Sequence, residues 1–352
     1  MNCDPSGVSS SEQGLFAAIH EQLRSARRIL LLTHVAPDGD AIGSLLGLGW
    51  LLRARGTELT LACEDPVPEL YTWLPGGEQV LRQGHGPYDL IISLDCSDER
   101  RMGRVCGPHL AALPLINIDH HITNTLFGTI NWVDPSAVAT AQMVLTLADR
   151  LDWEVTRPVA VCLLTGLVTD TRSFRTPNVD QVALRAALRL IEAGASLAEI
   201  AHRALNQRPL AAVRLWGQAF DRLHLEDGIL WTEVTQAMRH DWSLSENGDS
   251  GLANFLAGVR EADVVVVFTE REDGTVDVGM RAVPGLDVAQ VALRLGGGGH
   301  PQASGCTLTG NLDQVRERVL AEVRASLAEQ RQAGQACFRV RESLQCLAAT
   351  AG

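Results

Sequence analysis

The chain has 352 residues, 46% of them apolar and 20% charged, and carries a formal net charge of -12. That length suits two domains, and the balance is that of a soluble globular protein. The acidic excess disfavours a long nucleic acid as partner, because polyanions are held chiefly by neutralising their phosphates. A small phosphorylated ligand held by a few local cations remains compatible.

The eight cysteines, Cys3, Cys63, Cys96, Cys106, Cys162, Cys306, Cys337 and Cys346, are scattered and form no CxxC pair. They read as reduced thiols acting as small hydrophobes, not as a disulfide framework or a thiolate zinc site. Met1 to Glu12 lacks the basic and apolar segments of a signal peptide. No apolar run approaches the roughly 20 residues of a membrane span. A cytoplasmic protein with no membrane contact is expected.

In chain order, residues 1–14 are small and polar and read as a flexible arm, and Leu15 to Ser25 as a helix. Arg28 to Thr33 is an aliphatic strand. His34, Asp38 and Asp40 follow it at once, and an apolar helix runs from Asp40 to about Arg55, ended by Gly56. Glu58 to Cys63 is a second strand, and Val67 to Leu74 a short helix closed by Pro75-Gly76-Gly77. Asp89 to Leu94 is a third strand, ending in Asp95-Cys96-Ser97-Asp98. Pro114 to Ile118 is a fourth, ending in Asp119-His120-His121. Three buried strands thus each end in acids or histidines. Open parallel sheets bind ligands at the carboxyl ends of their strands, so one shared site is expected there.

Gly128 to Val133 reads as a strand and Ala137 to Leu151 as a helix. Pro158 starts another helix, at a position where Pro is tolerated. It runs through Leu163 to Asp170 and breaks near Pro177, and Asp170 near its end is a carboxylate that would be costly to bury alone. Val179 to Ala193, Leu197 to Leu205 and Leu210 to Leu223 have helical periodicity. Composition changes near residue 224. A hairpin turn at Glu226-Asp227-Gly228 is followed by a loop from Glu246 to Gly251 and a buried strand from Ala262 to Glu270. A strand from Thr275 to Arg281, a helix from Leu286 to Leu295 and the run Gly296-Gly297-Gly298-Gly299-His300 come next. Cys306 to Leu308 is a strand, Leu312 to Gln330 a long helix, and residues 333–352 a tail. The expected fold class is α/β: an N-terminal parallel-sheet domain and a smaller mixed α/β C-terminal domain.

His34, Asp38, Asp40, Asp95, His120 and Asp170 make four carboxylates and two imidazoles. Crowded into a low-dielectric cleft, the carboxylates would repel one another strongly. Two divalent cations would cancel their charge, let a phosphate approach and steady both the attacking and leaving oxygens. Mixed nitrogen and oxygen donors favour manganese, iron, cobalt or zinc over magnesium. Ordinary alternatives compete at each position. Asp38 and Asp40 could cap the following helix, His34 could be a hydrogen-bonded core histidine, Asp95 and Asp119 loop acids, and the glycine run a linker. Four clusters together are hard to explain that way.

On these residues the chain resembles the DHH phosphoesterase family, in its short form with a DHH-associated C-terminal domain, over about residues 15–325. Asp119-His120-His121 is similar to the motif that names the family, and Pro37-Asp38-Gly39-Asp40-Ala41-Ile42-Gly43-Ser44 to its first motif. Asp95 matches the second motif, Thr169-Asp170-Thr171 the fourth, and Gly296 to His300 the C-terminal GGGGH element. The resemblance implies a flexible arm (1–14), a DHH catalytic domain (15–195), a helical connector (196–223), a DHH-associated substrate-binding domain (224–332) and a tail (333–352).

It also implies roles. His34 and Asp38 would hold one metal, Asp40, His120 and Asp170 the other, with Asp95 bridging; Mn2+ is the expected ion. Asp119 would orient ligands, and His121 would face the scissile phosphate, binding it or helping the leaving oxygen. Arg281, Gly297, Gly298, Gly299 and His300 would bind substrate. The implied activity is hydrolysis of very short RNA oligonucleotides to mononucleotides and dephosphorylation of 3′-phosphoadenosine 5′-phosphate (pAp). Hydrolysis of linear or cyclic dinucleotides is the alternative, and a non-catalytic nucleotide-binding regulator a more distant one. A homodimer is a further expectation. Two departures stand out: Arg172 where the family often has Gly, and Ala139-Thr140-Ala141-Gln142 where it tends to have Ser-Thr-Ala-Glu.

Overall fold

Two units divide the chain in the computed structural model, Met1–Gln207 and Arg208–Gly352. Residues 10–105, 112–242 and 251–349 are described, with side chains between 13 and 332. Residues 1–9 of the expected arm, and the expected loop from Glu246 up to residue 250, lie outside the described residues.

The first unit is built on a five-stranded sheet in the order β2-β1-β3-β4-β5, all parallel. The strands are β1 (Arg28–Thr33), β2 (Glu58–Ala62), β3 (Leu90–Leu94), β4 (Leu115–Asp119) and β5 (Ile130–Val133). β1 and β3 are mainly aliphatic because both faces of the sheet are covered: Ile29 and Leu31 pack in the core with the helices, while Leu30 and Leu32 pack against Tyr88, Met102 and Val105 from loops and a 3-10 turn, and all four have no exposed surface. The chain leaves β1 for the outer strand β2, then crosses back over β1 to β3. This reversal is a topological switch point, the position at whose strand carboxyl ends open α/β sheets bind ligands.

The helices of this unit are α1 (Ser10–Ser25), α2 (Gly39–Arg53), α3 (Thr140–Arg150), α4 (Arg157–Asp170), α5 (Gln181–Glu192) and α6 (Leu197–Ala201). α2 is buried nearly all round, as a helix apolar on every side must be. It crosses α4 at backbone distance. A Cβ on Gly43 would sit 2.5 Å from the Cys162 carbonyl, and one on Gly166 2.6 Å from both Ala141 and the Asp40 carboxylate. Only glycine fits there. The two helices run in opposite directions, so the end of α4 meets the start of α2.

The stretch Val67 to Leu74, expected as a helix, forms one 3-10 turn, Glu69–Tyr71. Pro66, Pro68 and Pro75 remove amide donors and restrict the residues before them, leaving no room for a longer helix.

The second unit has a six-stranded mixed sheet, β10-β11-β9-β8-β7-β6. Its strands are β6 (His224–Glu226), β7 (Ile229–Val234), β8 (Val264–Glu270), β9 (Thr275–Ala282), β10 (Gly298–His300) and β11 (Ala303–Thr309). β7 and β8 are parallel and the other pairs antiparallel. Alternate residues of β8 serve two cores. Val264, Val266 and Phe268 pack with α10 (Ala289–Arg294) and α11 (Leu312–Ala349), while Val265 and Val267 pack with α7 (Leu210–Phe220), α8 (Gln236–Asp241) and α9 (Leu252–Leu256).

Three local expectations change here. α10 starts later than Leu286, at Ala289, whose amide donates to the Asp287 carboxylate at 2.8 Å. α11 runs on past Gln330 through residues rich in strong helix formers. The glycine run is not a linker: Gly298–His300 is a strand paired with β11.

Candidate metal centre

His34 follows β1 directly and is 3% exposed. Its Nδ1 donates to the Val35 carbonyl at 2.8 Å, and its Nε2 lies 3.4 Å from Asp95 Oδ2. His120 follows β4 and repeats the pattern. Its Nδ1 donates to the Ala137 carbonyl at 3.3 Å, and its Nε2 lies 3.6 Å from Asp95 Oδ1 and from Asp170 Oδ2. A carbonyl only accepts, so in each neutral ring Nδ1 carries the proton and Nε2 presents a lone pair. A lone pair facing a carboxylate is a clash of two acceptors unless a cation stands between them. Two imidazoles held this way by backbone carbonyls could serve as donors to a metal.

The carboxylates arrive from three elements. Asp38 caps α2, its Oδ1 accepting from the amides of Asp40 and Ala41 at 3.0 Å each. A donor atom of Asp38 nevertheless lies within 4.8 Å of donor atoms of His34 and Asp95. Capping and site membership are therefore one role, not rivals. Asp40 is buried in the first turn of α2 and points at the start of α3. Its Oδ2 accepts from the Thr140 amide at 2.6 Å, and its Oδ1 from the Ala141 amide at 2.9 Å and the Ser44 hydroxyl at 3.2 Å. The unsatisfied amides at a helix start suit a carboxylate. Asp170 ends α4 and reaches the cluster because α4 crosses α2 through glycine. Asp40, His120 and Asp170 offer donor atoms within 4.8 Å of one another, as do Asp95, His120 and His121.

Asp95 sits at the middle of these groups with a left-handed backbone, φ 60°. That conformation costs a non-glycine residue about 1–2 kcal/mol, and such strain persists where the surroundings hold it. Its amide donates to the Ile118 carbonyl at 3.0 Å, and its Oδ1 accepts from the Thr140 hydroxyl at 2.8 Å. Thr140 thus serves two acids, Asp40 through its amide and Asp95 through its hydroxyl. Reading the sequence for acids and histidines misses it. Its sequence signal was the Ala139–Gln142 stretch at a helix start.

Asp119 is fully buried. Its Oδ1 accepts from His121 Nδ1 at 2.7 Å and its Oδ2 from the side-chain Nδ2 of Asn124 at 2.6 Å. Asn124 also donates to Asn117 Oδ1 at 2.8 Å. Asp119 therefore orients His121 in particular, and Asn117 and Asn124 back it.

The electrostatics show an acid cluster waiting for positive charge. Burial first, then the charges of Asp95 and Asp170, push the Asp40 carboxyl well above its usual range. Burial first, then Asp38 and Asp95, do the same to Asp170. Burial would also raise Asp95, but the adjacent His34 and the charges of His121 and His120 outweigh it and hold it low. Burial opposes the charge on His34, yet Asp95 and Asp38 raise it. Burial likewise opposes the charge on His121, but Asp119 and Asp95 lift it to about 9. The residues present fit divalent cations: a buried carboxylate set short of positive charge, with two lone-pair imidazoles among it.

In the second unit, register sets the predicted substrate residues in one row. Arg281 of β9 faces Ala303 of β11, which faces His300 of β10. Residues directly opposite in an antiparallel pair share a face, so Arg281 and His300 project from the same side, two strands apart. Arg281 Nε donates to Asn254 Oδ1 at 2.6 Å and Nη1 to the Met280 carbonyl at 2.8 Å. A Cβ on Gly299 (φ 135°) would meet the Ala303 carbonyl at 2.6 Å. That glycine is required by the approach to β11, and Gly298 lies in the same paired strand. Gly297 likewise lies too close to Gly305 to carry a side chain.

A parallel sheet whose carboxyl edge gathers histidines and aspartates, joined to a mixed α/β unit, has the donor set that metal-assisted chemistry requires. Residues 28–167 match the DHH family N-terminal domain and residues 235–329 the DHHA1 domain. The chain is 40% identical to the bifunctional oligoribonuclease and PAP phosphatase NrnA of Thermus thermophilus, over 85% of this chain and 90% of the relative. It is 29% identical to the protein of the same description from Bacillus subtilis, over 84% and 93%. An exopolyphosphatase-related protein from Bacteroides fragilis shares the fold, with a TM-score of 0.83 at 22% identity, covering 92% of this chain and 98% of that one. The chain belongs to the DHH family and is a phosphoester hydrolase.

Proposed function

We propose that the protein hydrolyses very short oligoribonucleotides to mononucleotides and removes a phosphate from pAp. Two divalent ions, Mn2+ foremost, assist. The observation that carries the reading is the pair of imidazole Nε2 lone pairs aimed at Asp95 and Asp170, with the described relatives of NrnA type in support. His34, Asp38 and Asp95 would hold one ion and Asp40, His120 and Asp170 the other, with Asp95 shared. Bound there, the ions supply Lewis acidity to the phosphoryl oxygens and lower the pKa of an attacking water.

The chain's own groups do the rest. Asp119 holds the Nδ1 proton of His121, so the remaining ring nitrogen is free of that bond and can donate to a phosphate oxygen or pass a proton to the leaving oxygen. Asn117 and Asn124 keep that pair in register. Thr140 and the start of α3 fix the two central carboxylates, so little reorganisation is needed during reaction. In the second unit, Arg281 and His300 take a phosphate of the substrate, with the backbone of Gly297, Gly298 and Gly299 lending close approach. So few cations suit a short ligand and agree with a net charge of -12. The same reading places the enzyme in the cytoplasm, in keeping with free, buried Cys63, Cys96, Cys162 and Cys306.

The test is a substrate panel with Mn2+: di- to pentaribonucleotides labelled at each end, pAp, and linear and cyclic dinucleotides. Release of mononucleotide from the short RNAs and of phosphate from pAp is expected. No turnover of either by metal-loaded protein would defeat the proposal, and a strong preference for cyclic dinucleotides would move it to that substrate class.

A further inference from the structure

Three arginines lie just after Asp95, and one of them has no visible task. Asp98 caps the 3-10 turn Glu99–Met102 that carries Arg100 and Arg101, accepting from their amides at 2.8 and 3.3 Å. The Arg101 carbonyl accepts from the Val35 amide at 2.8 Å, which ties this turn to the loop of His34 and Asp38. Gly103 packs close behind, where a Cβ would meet Val35 at 2.8 Å. Arg104 pairs with Glu64 at 2.8 Å, and Arg100 is exposed. Arg101 is half-buried, and its Nε is shut off from solvent with no hydrogen-bond partner.

A buried guanidinium nitrogen left without an acceptor costs about 1–3 kcal/mol. Such a group calls for an explanation, and an absent ligand is a leading one. The nearby carboxylates are engaged elsewhere. Asp95 serves Thr140 and His34, Asp38 and Asp98 cap their turns, and Asp65 accepts from the Ala36 amide at 2.6 Å.

We propose that Arg101 binds the phosphoryl group under attack, its guanidinium donating to a non-bridging oxygen on the His34 side of the cluster. The planar fork matches a phosphate in a way an ammonium does not. As charge builds on that oxygen in the transition state, the contact strengthens. Arg101 is then a catalytic residue of unit one, separate from Arg281 of unit two. The inference rests on the phosphoester-hydrolase reading but not on the identity of the nucleotide.

The experiment compares full-length wild type with Arg101→Gln, Arg101→Lys and Arg101→Ala, all loaded with Mn2+. With bis(4-nitrophenyl) phosphate, which needs no nucleotide recognition, kcat/KM should fall by about 100-fold or more in Arg101→Gln, mostly in kcat, the scale of losing one transition-state donor. Arg101→Lys should recover only part of it, and added guanidinium ion should partly rescue Arg101→Ala. Calorimetric binding of inorganic phosphate should weaken about tenfold or more. Mn2+ stoichiometry should hold, and the melting temperature should stay or rise, because an unsatisfied donor has been removed.

Activity within twofold of wild type together with unchanged phosphate affinity would overturn the inference. So would a lower melting temperature with loss of Mn2+, which marks a structural arginine. If wild type cleaves the nitrophenyl ester but neither short RNA nor pAp, the substrate proposal fails while Arg101 is still tested. If wild type cleaves nothing, phosphate binding alone decides.

Discussion

The Thr140 hydroxyl donates to Asp95 Oδ1 at 2.8 Å while the Thr140 amide donates to Asp40 Oδ2 at 2.6 Å. One residue at the start of α3 thereby aims two carboxylates that come from different strand ends. Thr140→Val keeps the shape and the amide but removes the hydroxyl. Mn2+ affinity should fall about 10- to 100-fold, as for other groups that orient metal ligands. Stability of the metal-free protein should drop by only about 1–2 kcal/mol. Calorimetric titration with Mn2+ and denaturant melts of metal-free protein read the two effects separately.

The acid cluster should make the protein more stable once it is damaged, provided metal is absent. Asp40 and Asp170 are pushed toward protonation by burial and by neighbouring acids. Asp170→Asn removes a largely buried charge from this crowd. In chelator the variant should melt at or above wild type. With Mn2+ the order should reverse, because the native state loses the stabilisation that ligand binding gives. Scanning calorimetry of both proteins, with and without Mn2+, checks the crossing; a variant that melts lower in both conditions would refute it.

The pair Asp119–His121 should leave a signature in the pH dependence of metal-free stability. His121 titrates at about 9 in the folded protein against about 6.5 when unfolded. A raised pKa means that its contribution is fully present below pH 6.5 and is lost as pH rises through about 9. Unfolding free energy should therefore decline across that window. Asp119→Asn should flatten the decline, while the raised carboxyls of Asp40 and Asp170 act alike in both proteins. Denaturant titrations at several pH values give the slopes directly.

A single methyl group at the α2–α4 crossing should separate the two ends of the site. The Cβ of Gly43→Ala would fall 2.5 Å from the Cys162 carbonyl. The helices must move apart, at a cost of about 1–3 kcal/mol for overpacking. The shift displaces Asp170 from Asp40 and His120, so Mn2+ affinity should fall more than stability alone explains. Gly56→Ala is not an adequate control, since Gly56 adopts a positive φ of 79°; Gly217→Ala, in open space on α7, is.

Several features were legible along the chain because their causes are local. Aliphatic runs ending in His34, Asp95 and Asp119 announce strands that stop at a shared edge, and an Asp before an apolar helix announces a cap. The glycine run was legible as an element but not as a strand. Its pairing depends on Gly299 approaching Ala303 and Ser304 just beyond the run, and glycines carry no side-chain alternation from which a strand can be read. The helix expected over Val67 to Leu74 failed because prolines outweigh apolar spacing.

The sequence by itself determined which residues can hold a cation and which family the chain resembles, since side-chain chemistry and motif order do not depend on folding. Tertiary structure alone decided how those residues serve. It showed that Asp38 caps a helix and belongs to the cluster, that Asp40 rests on the start of α3 a hundred residues away, and that Arg101 is left without an acceptor. The reason is physical. Composition and periodicity act over a few residues, whereas charge compensation and hydrogen bonding in a buried site depend on which distant backbones the packing of α2 against α4 brings within 3 Å.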